Sequence, residues 1–139
     1  MDIQPDHILL FYTWIDRVSP ACSGQWTKFF DPQEIERFKN ISLESKKREF
    51  IFSRALTRYV LSKISGISPE KFRFIFNRHG KPELKPGITR QNIRFSLSHA
   101  GNMVGLGVVL DHDLGVDVED KKRRVNKGVA QRFFSPEEI

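Results

Sequence analysis

Residues 42–65 form the segment that most constrains the fold, because they have the length and apolar spacing of one long helix. Apolar residues recur there at three- and four-residue intervals, which predicts a stripe that packs against a core. Ser42 is predicted to cap the helix, and Gly66 to end it in a left-handed conformation. The stripe consists of Phe52, Leu56, Tyr59 and Val60.

The other apolar runs are short and typical of β-strands, bounded by turn residues. A short helix from Pro32 to about Phe38 precedes the long one, since Asp31 can cap its free amides. Met103–Leu110 and Leu114–Glu119 flank a tight turn and are predicted to form a hairpin. We therefore expect an α+β fold in which an antiparallel sheet packs on one long helix. The predicted strands are His7–Ile15, Lys71–Asn77, Asn92–Leu97, Met103–Leu110 and Leu114–Glu119.

The charge and the cysteine content limit the partners and the compartment. The 139 residues fit one domain, and 23 Lys and Arg against 17 Asp and Glu give a net charge of +6. This excess favours nucleic acid, phosphorylated cofactors or an acidic protein. The single Cys22 fits a reducing compartment, so a cytoplasmic location is expected. No apolar run reaches the roughly 20 residues of a membrane span, so no membrane partner is expected.

Two carboxylates stand out in the stretch Gly115-Val116-Asp117-Val118-Glu119. In an extended chain Asp117 and Glu119 point to one side, while Val116 and Val118 point to the other. Carboxylates this close repel each other unless a cation neutralises them, and Mg²⁺ prefers such oxygen ligands. The pattern predicts a magnesium site. The alternative is the solvated face of an amphipathic strand.

Several further residues are of the kind that binds phosphate. Lys81 follows a glycine turn, Ser98-His99 follows a strand, and Arg54 lies four residues before Arg58 on one helix face. Ser98-His99 could also indicate a hydrolase, although neighbours in sequence rarely form a nucleophile and base pair. The basic clusters Lys46–Arg48 and Lys121–Arg124 leave a nucleic-acid binder open as a weaker alternative. Neither a P-loop nor zinc-ligand spacing occurs in the sequence.

Four motifs, in their order and spacing, resemble the 4'-phosphopantetheinyl transferases of the surfactin-synthetase-activating (Sfp) type. The similarity extends from about Pro32 onward, and Arg48, Phe50, Arg54 and Arg58 resemble that family's basic helix. The motifs are Gly80-Lys81-Pro82, Phe95-Ser96-Leu97-Ser98-His99-Ala100-Gly101, Gly115-Val116-Asp117-Val118-Glu119 and Arg132-Phe133-Phe134-Ser135-Pro136-Glu137-Glu138.

The resemblance implies transfer of the phosphopantetheine arm of coenzyme A to a serine of an acyl or peptidyl carrier protein. It implies that Asp117 and Glu119 hold Mg²⁺ and form the catalytic group together with His99. The residues that it assigns to coenzyme A are Arg48, Arg54, Lys81, Ser98 and His99. Carrier proteins of this kind are acidic, which suits a basic enzyme.

The chain departs from the family pattern in three places. The family usually has Asn where Ser96 stands, and the lysines that it often places before the long helix are not found near Asp31–Glu36. Its third motif, W-x-x-K-E, does not occur in these 139 residues. We therefore expect residues 1–139 to be the N-terminal half of a pseudo-symmetric two-half fold, truncated at its C-terminus, with little or no activity alone. A helix is predicted over Asn126–Phe133, and Ser135-Pro136 would begin another.

The half-fold expectation leaves a second function open and carries one consequence for assembly. The alternative function is a non-catalytic half-domain that binds coenzyme A or assembles with another chain. A half should expose the apolar face that its other half would cover, so a homodimer through that face is expected.

Overall fold

The computed structural model describes residues 1–122, with three main helices and five strands in that range. The predicted helix over Asn126–Phe133 and the helix start at Ser135 lie outside this range. The helices are α1 (Pro20–Trp26), α2 (Pro32–Lys39) and α3 (Glu44–Ser65). The strands are β1 (Leu9–Trp14), β2 (Phe74–Phe76), β3 (Pro82–Leu84), β4 (Ile93–Ala100) and β5 (Met103–Leu110).

The main sheet is antiparallel and has the strand order β1-β5-β4, while β2 and β3 form a separate two-stranded ribbon. In the main sheet Val108 of β5 lies between Leu9 of β1 and Phe95 of β4. α3 packs on one face of this sheet. The expected α+β fold, an antiparallel sheet on one long helix, is confirmed. Residues buried in the main core include Val60, Leu61, Phe72, Phe74, Ile93, Phe95, Leu106 and Val108.

The long helix begins and packs somewhat differently from the prediction. Leu43, not Ser42, occupies the N-cap position, and no side chain caps the helix start. Gly66 ends the helix with φ of 72°, as predicted. Tyr59, predicted in the apolar stripe, is 48% exposed and contacts the Trp26 ring of α1.

A buried ionic cluster joins α2 to α3. The carboxylate of Asp31 accepts the Glu34 N–H, and Glu34 accepts the Asp31 N–H in return, which forms a capping box. Glu34 also binds the guanidinium of Arg58, and its other oxygen lies 3.4 Å from Nε of Arg54. Arg58 is 0% exposed and donates to the carbonyls of Pro69 and Phe72. The face shared by Arg54 and Arg58 is therefore buried against α2.

One strand prediction was wrong, and one strand was missed. Leu114–Glu119 does not pair with β5, because β1 and β4 already occupy both edges of β5. The short strand β3 was missed because Pro82 and Pro86 give residues 82–86 the composition of a loop. Within residues 1–122, no helix combines the length and the apolar character needed to cross a membrane.

Candidate functional site

Residues 115–119, here called the acidic segment, lie across the outer face of the sheet, the face opposite α3. The Val116 N–H donates to Ser96 Oγ and the Val118 N–H donates to Ser98 Oγ, both at 3.1 Å. In a β-sheet these N–H groups would donate to backbone carbonyls of a neighbouring strand, but here they donate to serine hydroxyls of β4. The segment therefore lies over the sheet without pairing as a strand.

Two glycines of β5 make room for this segment. A Cβ added at Gly105 would lie 2.8 Å from Cγ2 of Val118, and one added at Gly107 would lie 2.5 Å from Cγ2 of Val116. Both distances are shorter than any normal carbon–carbon contact. The valine side chains therefore rest directly on the β5 backbone, which fixes the height of the segment above the sheet.

The acidic pair faces away from the sheet, as the alternation predicted. Asp117 and Glu119 are exposed, whereas Val116 and Val118 are half-buried. Ser98 Oγ lies 3.5 Å from Oδ1 of Asp117, so its hydroxyl contacts the segment at two points. The structure thus joins Ser98 to the acidic pair.

A recess of about 770 Å³ surrounds the turn between β4 and β5 and receives both carboxylates. One wall is the first two turns of α3, including Arg48 and Glu49. The opposite wall is the acidic segment, and His99 lies between the two. The other lining residues are Ile15, Ser45, Lys46, Ala100, Gly101, Asn102, Val118, Asp120 and Lys122.

His99 is oriented by a carboxylate from α3. Its Nδ1 lies 3.3 Å from Oε1 of Glu49, whose other oxygen pairs with Lys46 at 3.0 Å. A proton on Nδ1 shared with Glu49 leaves Nε2 available to a ligand. Arg48 donates to the carbonyl of Ile15 at 3.1 Å, so part of its guanidinium is already used to hold α3 to the end of β1.

A second recess, of about 530 Å³, lies on the other side of His99. Arg54 and Arg37 line it together with the aromatic rings of Phe50 and Phe76. Burial lowers the pKa of the Arg54 guanidinium, and the nearby carboxylate of Glu34 opposes that shift. The remaining lining residues are Asn40, Ile41, Gly80, Pro82 and Leu97.

Lys81 does not join the other predicted site residues. Its Nζ donates to the carbonyl of Leu114 at 2.7 Å, and it lines a separate cavity of about 290 Å³. Its neighbours Gly80 and Pro82, however, line the recess of Arg54 and His99. In this structure Lys81 anchors the beginning of the acidic segment.

The residues present can hold Mg²⁺ only in part. Among residues 1–122 no group of three or more His, Cys, Asp or Glu side chains is arranged to hold a metal ion. Two adjacent exposed carboxylates nevertheless fit an ion that keeps several waters and binds substrate phosphates. The pair therefore fits Mg²⁺ bound jointly with a phosphorylated ligand.

Sequence reasoning missed two residues of this site. Glu49 was not singled out because its link to His99 spans 50 positions, which local pattern cannot show. Arg37 was also missed, although its place in the last turn of α2, facing the Phe76 ring at 4.5 Å, brings a second cation to Arg54. The available sequence signal for Arg37 was a basic residue near the end of a predicted helix, and basic residues are common at that position.

Comparison with known proteins gives a consistent result. A family model described as 4'-phosphopantetheinyl transferase, N-terminal, matches residues 21–109. The 4'-phosphopantetheinyl transferase HetI of Nostoc sp. is 27% identical over 106 residues, covering 76% of this chain and 45% of that protein. The 4'-phosphopantetheinyl transferase ffp of Bacillus subtilis is 28% identical over 130 residues, covering 93% of this chain and 56% of that protein. The chain spans about half the length of these curated relatives.

The fold also matches a solved structure. A holo-(acyl-carrier-protein) synthase from Bacillus anthracis, solved in complex with CoA (3',5'-ADP), superposes with a TM-score of 0.61 at 20% identity. The match covers 74% of this chain and 93% of that chain. At this identity the likeness establishes the shared fold.

Proposed function

The chain belongs to the 4'-phosphopantetheinyl transferase family through its N-terminal domain, and from this premise we propose that it binds coenzyme A for transfer of the phosphopantetheine arm to a carrier-protein serine. The observation that carries the proposal is the position of His99, which lines both recesses. Coenzyme A has a phosphorylated adenosine at one end and a pyrophosphate further along. A ligand of this shape needs cationic groups in one recess and a metal-binding group in the next.

The recess of Arg54 and Arg37 supports binding of the adenosine end. Two guanidinium groups supply charge for the 3'-phosphate, and the rings of Phe50 and Phe76 offer apolar surface for the base. One part of the Arg54 guanidinium is already used, because Glu34 contacts its Nε. Its remaining N–H groups are the ones we assign to phosphate.

The recess of Asp117 and Glu119 supports binding of the pyrophosphate. The two carboxylates would hold Mg²⁺, which when bound supplies charge neutralisation at the pyrophosphate. His99 lies between the recesses and, when both ring nitrogens carry a proton, can donate from Nε2 to a phosphate oxygen, while Arg48 adds positive charge from α3. Ser98, also assigned to coenzyme A, contacts Asp117 at 3.5 Å. Lys81 would act through the acidic segment that it anchors.

The proposed reaction is an in-line displacement at phosphorus. The carrier serine oxygen forms a new bond to the phosphorus that bears the pantetheine arm, and adenosine 3',5'-bisphosphate leaves with the oxygen of the broken bond. The serine proton must pass to a base. In the resembling family the W-x-x-K-E motif supplies that base, so we expect no turnover by the 139-residue chain alone; a carrier-protein assay with mass-verified material tests this.

Other partners follow from the same proposal. The net charge of +6 favours an acidic carrier protein. The cytoplasmic location expected from the free Cys22 belongs to the proposal as well. A non-catalytic half-domain that binds coenzyme A stays the alternative, since the chain spans about half of its relatives.

Calorimetry with coenzyme A tests the central claim. The substitution His99→Ala should weaken binding about tenfold, the cost of roughly one charge-assisted hydrogen bond. The control is His7→Ala, because His7 is exposed on the N-terminal segment outside both recesses. Equal affinities of the two variants would contradict the assignment. Stronger competition by a generic oligonucleotide than by adenosine 3',5'-bisphosphate would instead favour the nucleic-acid alternative.

A further inference from the structure

The contacts beneath the acidic segment repeat with a period of two residues. Ser96 lies opposite Gly107 in the sheet register, and Ser98 lies opposite Gly105. Each pair, one hydroxyl and one glycine, receives one valine of the segment. Val116 donates its N–H to Ser96 and rests its side chain on Gly107.

Val118 makes the same two contacts one step further along, donating to Ser98 and resting on Gly105. Asp117 lies between these two valines, so its backbone is fixed on both sides. Loss of either hydroxyl would free one flank of the residue that bears the first carboxylate. Ser98 has already been assigned to the ligand, whereas Ser96 has no assigned role.

We propose that Ser96 is a positioning residue for the acidic pair, acting through the N–H of Val116. This inference rests on the proposed function, in which Asp117 and Glu119 hold Mg²⁺ beside the pyrophosphate. Ser96 is buried, so it cannot itself reach a ligand in either recess. Its hydroxyl sets the distance of the segment from β4, and Gly107 sets its height above β5.

The metal affinity should be sensitive to this contact. A site with only two protein carboxylates depends on holding both of them in one relative position, because the ion prefers near-ideal octahedral geometry. Without the Ser96 hydroxyl, the Val116 N–H loses its partner in a half-buried place. The segment would then move away from β4 more often, and the two carboxylates would spend less time in the relative position that Mg²⁺ needs.

The test combines amide hydrogen exchange with Mg²⁺ titration of the 139-residue chain. In Ser96→Ala the Val116 amide should exchange about five- to tenfold faster, as expected for the loss of one hydrogen bond. Mg²⁺ binding in saturating coenzyme A should weaken by a similar factor. Coenzyme A affinity measured in EDTA should stay unchanged, and Ser96→Thr, which keeps the hydroxyl, should restore the slow exchange.

The matched control is Ser65→Ala. Ser65 also accepts a backbone N–H, from Ile67, but at the far end of α3. This variant should leave both Val116 exchange and Mg²⁺ affinity unchanged. The substitution Gly107→Ala is a second route to the same effect, because it keeps the hydroxyl and lifts Val116 by steric contact.

The outcomes separate this inference from the proposed function. Unaltered Val116 exchange in Ser96→Ala would overturn the inference, as would faster exchange with unaltered Mg²⁺ affinity, which indicates a purely structural hydroxyl. Wild-type protein that binds coenzyme A but no Mg²⁺ would refute the metal assignment in the proposed function. In that case the exchange rates would still show whether Ser96 fixes the segment, while its positioning role toward a metal would fall.

Discussion

At the scale of single residues, the geometry of Asp117 explains how a metal ion would have to bind. Ser98 contacts the carboxylate at 3.5 Å, and the side chain is otherwise exposed. Within the described range no third acidic or histidine ligand completes a group with Asp117 and Glu119. Mg²⁺ would therefore need waters and ligand phosphates for its remaining positions.

We predict that Mg²⁺ binds the protein weakly alone and at least about tenfold more tightly with coenzyme A, since the pyrophosphate supplies missing ligands. Asp117→Asn should remove the tighter binding, because it removes one of the two carboxylate charges while keeping the shape of the side chain. Asp6→Asn is the control, as Asp6 is an exposed carboxylate on the N-terminal segment. Calorimetry with and without coenzyme A measures both; tight Mg²⁺ binding that survives Asp117→Asn would remove the site assignment.

At the scale of elements, the ionic cluster around Glu34 holds α2 against α3 and so shapes the recess of Arg54. Glu34 is buried and contacts two guanidinium groups, while its capping box fixes the start of α2. Removing one partner of such a cluster leaves an uncompensated charge in a medium that solvates it poorly. The cluster therefore couples the stability of the fold to the geometry of the recess.

Arg58→Ala should lower the free energy of unfolding by about 3–5 kcal/mol, because it removes the buried guanidinium that contacts Glu34 and donates to the carbonyls of Pro69 and Phe72. The matched control is Glu44→Gln on the same helix, which breaks an exposed i,i+3 pair with Lys47. That change should cost less than about 1 kcal/mol. Urea denaturation followed by circular dichroism measures the free energy of unfolding of both variants. Comparable decreases would show that the buried cluster stabilises the fold no more than the exposed pair does.

At the scale of the whole molecule, an apolar strip along β1 has no cover within residues 1–122. The side chains of β1 alternate between the core and the outer sheet face, and β1 is an edge strand. Leu10 is 66% exposed and Tyr12 is 62% exposed. The predicted strand His7–Ile15 therefore packs against the core with one face only. The strip, here called the β1 strip, consists of Ile8, Leu10, Tyr12 and Trp14.

We predict that the chain self-associates through the β1 strip, since an uncharged edge strand with an apolar outer face favours pairing with another copy. Leu10→Lys should shift light-scattering mass toward the monomer. Leu43→Lys is the control, because Leu43 is equally exposed, at 66%, but lies between α2 and α3. A wild-type monomer at every concentration would refute the prediction.

Salt gives an independent check on this assembly. Two copies each carry a net charge of +6 and repel one another, so added salt should strengthen the association. Binding of coenzyme A depends on attraction between opposite charges, so the same salt should weaken it. Parallel salt dependences of the two equilibria would contradict one of the two assignments.

Local chemistry determined much of the structure from sequence. The capping box at Asp31, the left-handed stop at Gly66 and the alternation of Val116, Asp117 and Val118 depend on residues only a few positions apart. Backbone sterics and neighbouring hydrogen bonds fix such features before any tertiary contact forms. The order of the motifs likewise identified the family.

Only the tertiary structure decided where those local pieces meet. Residues 114–119 do not form the predicted strand, because both edges of β5 are already paired. Contacts with Ser96 and Gly107, some ten to twenty positions away, position these residues instead. Arg54, predicted to bind a phosphate of coenzyme A, is largely buried and contacts Glu34 across 20 positions. Such contacts depend on which surfaces the packed sheet and helices leave free, and sequence periodicity carries no record of that choice.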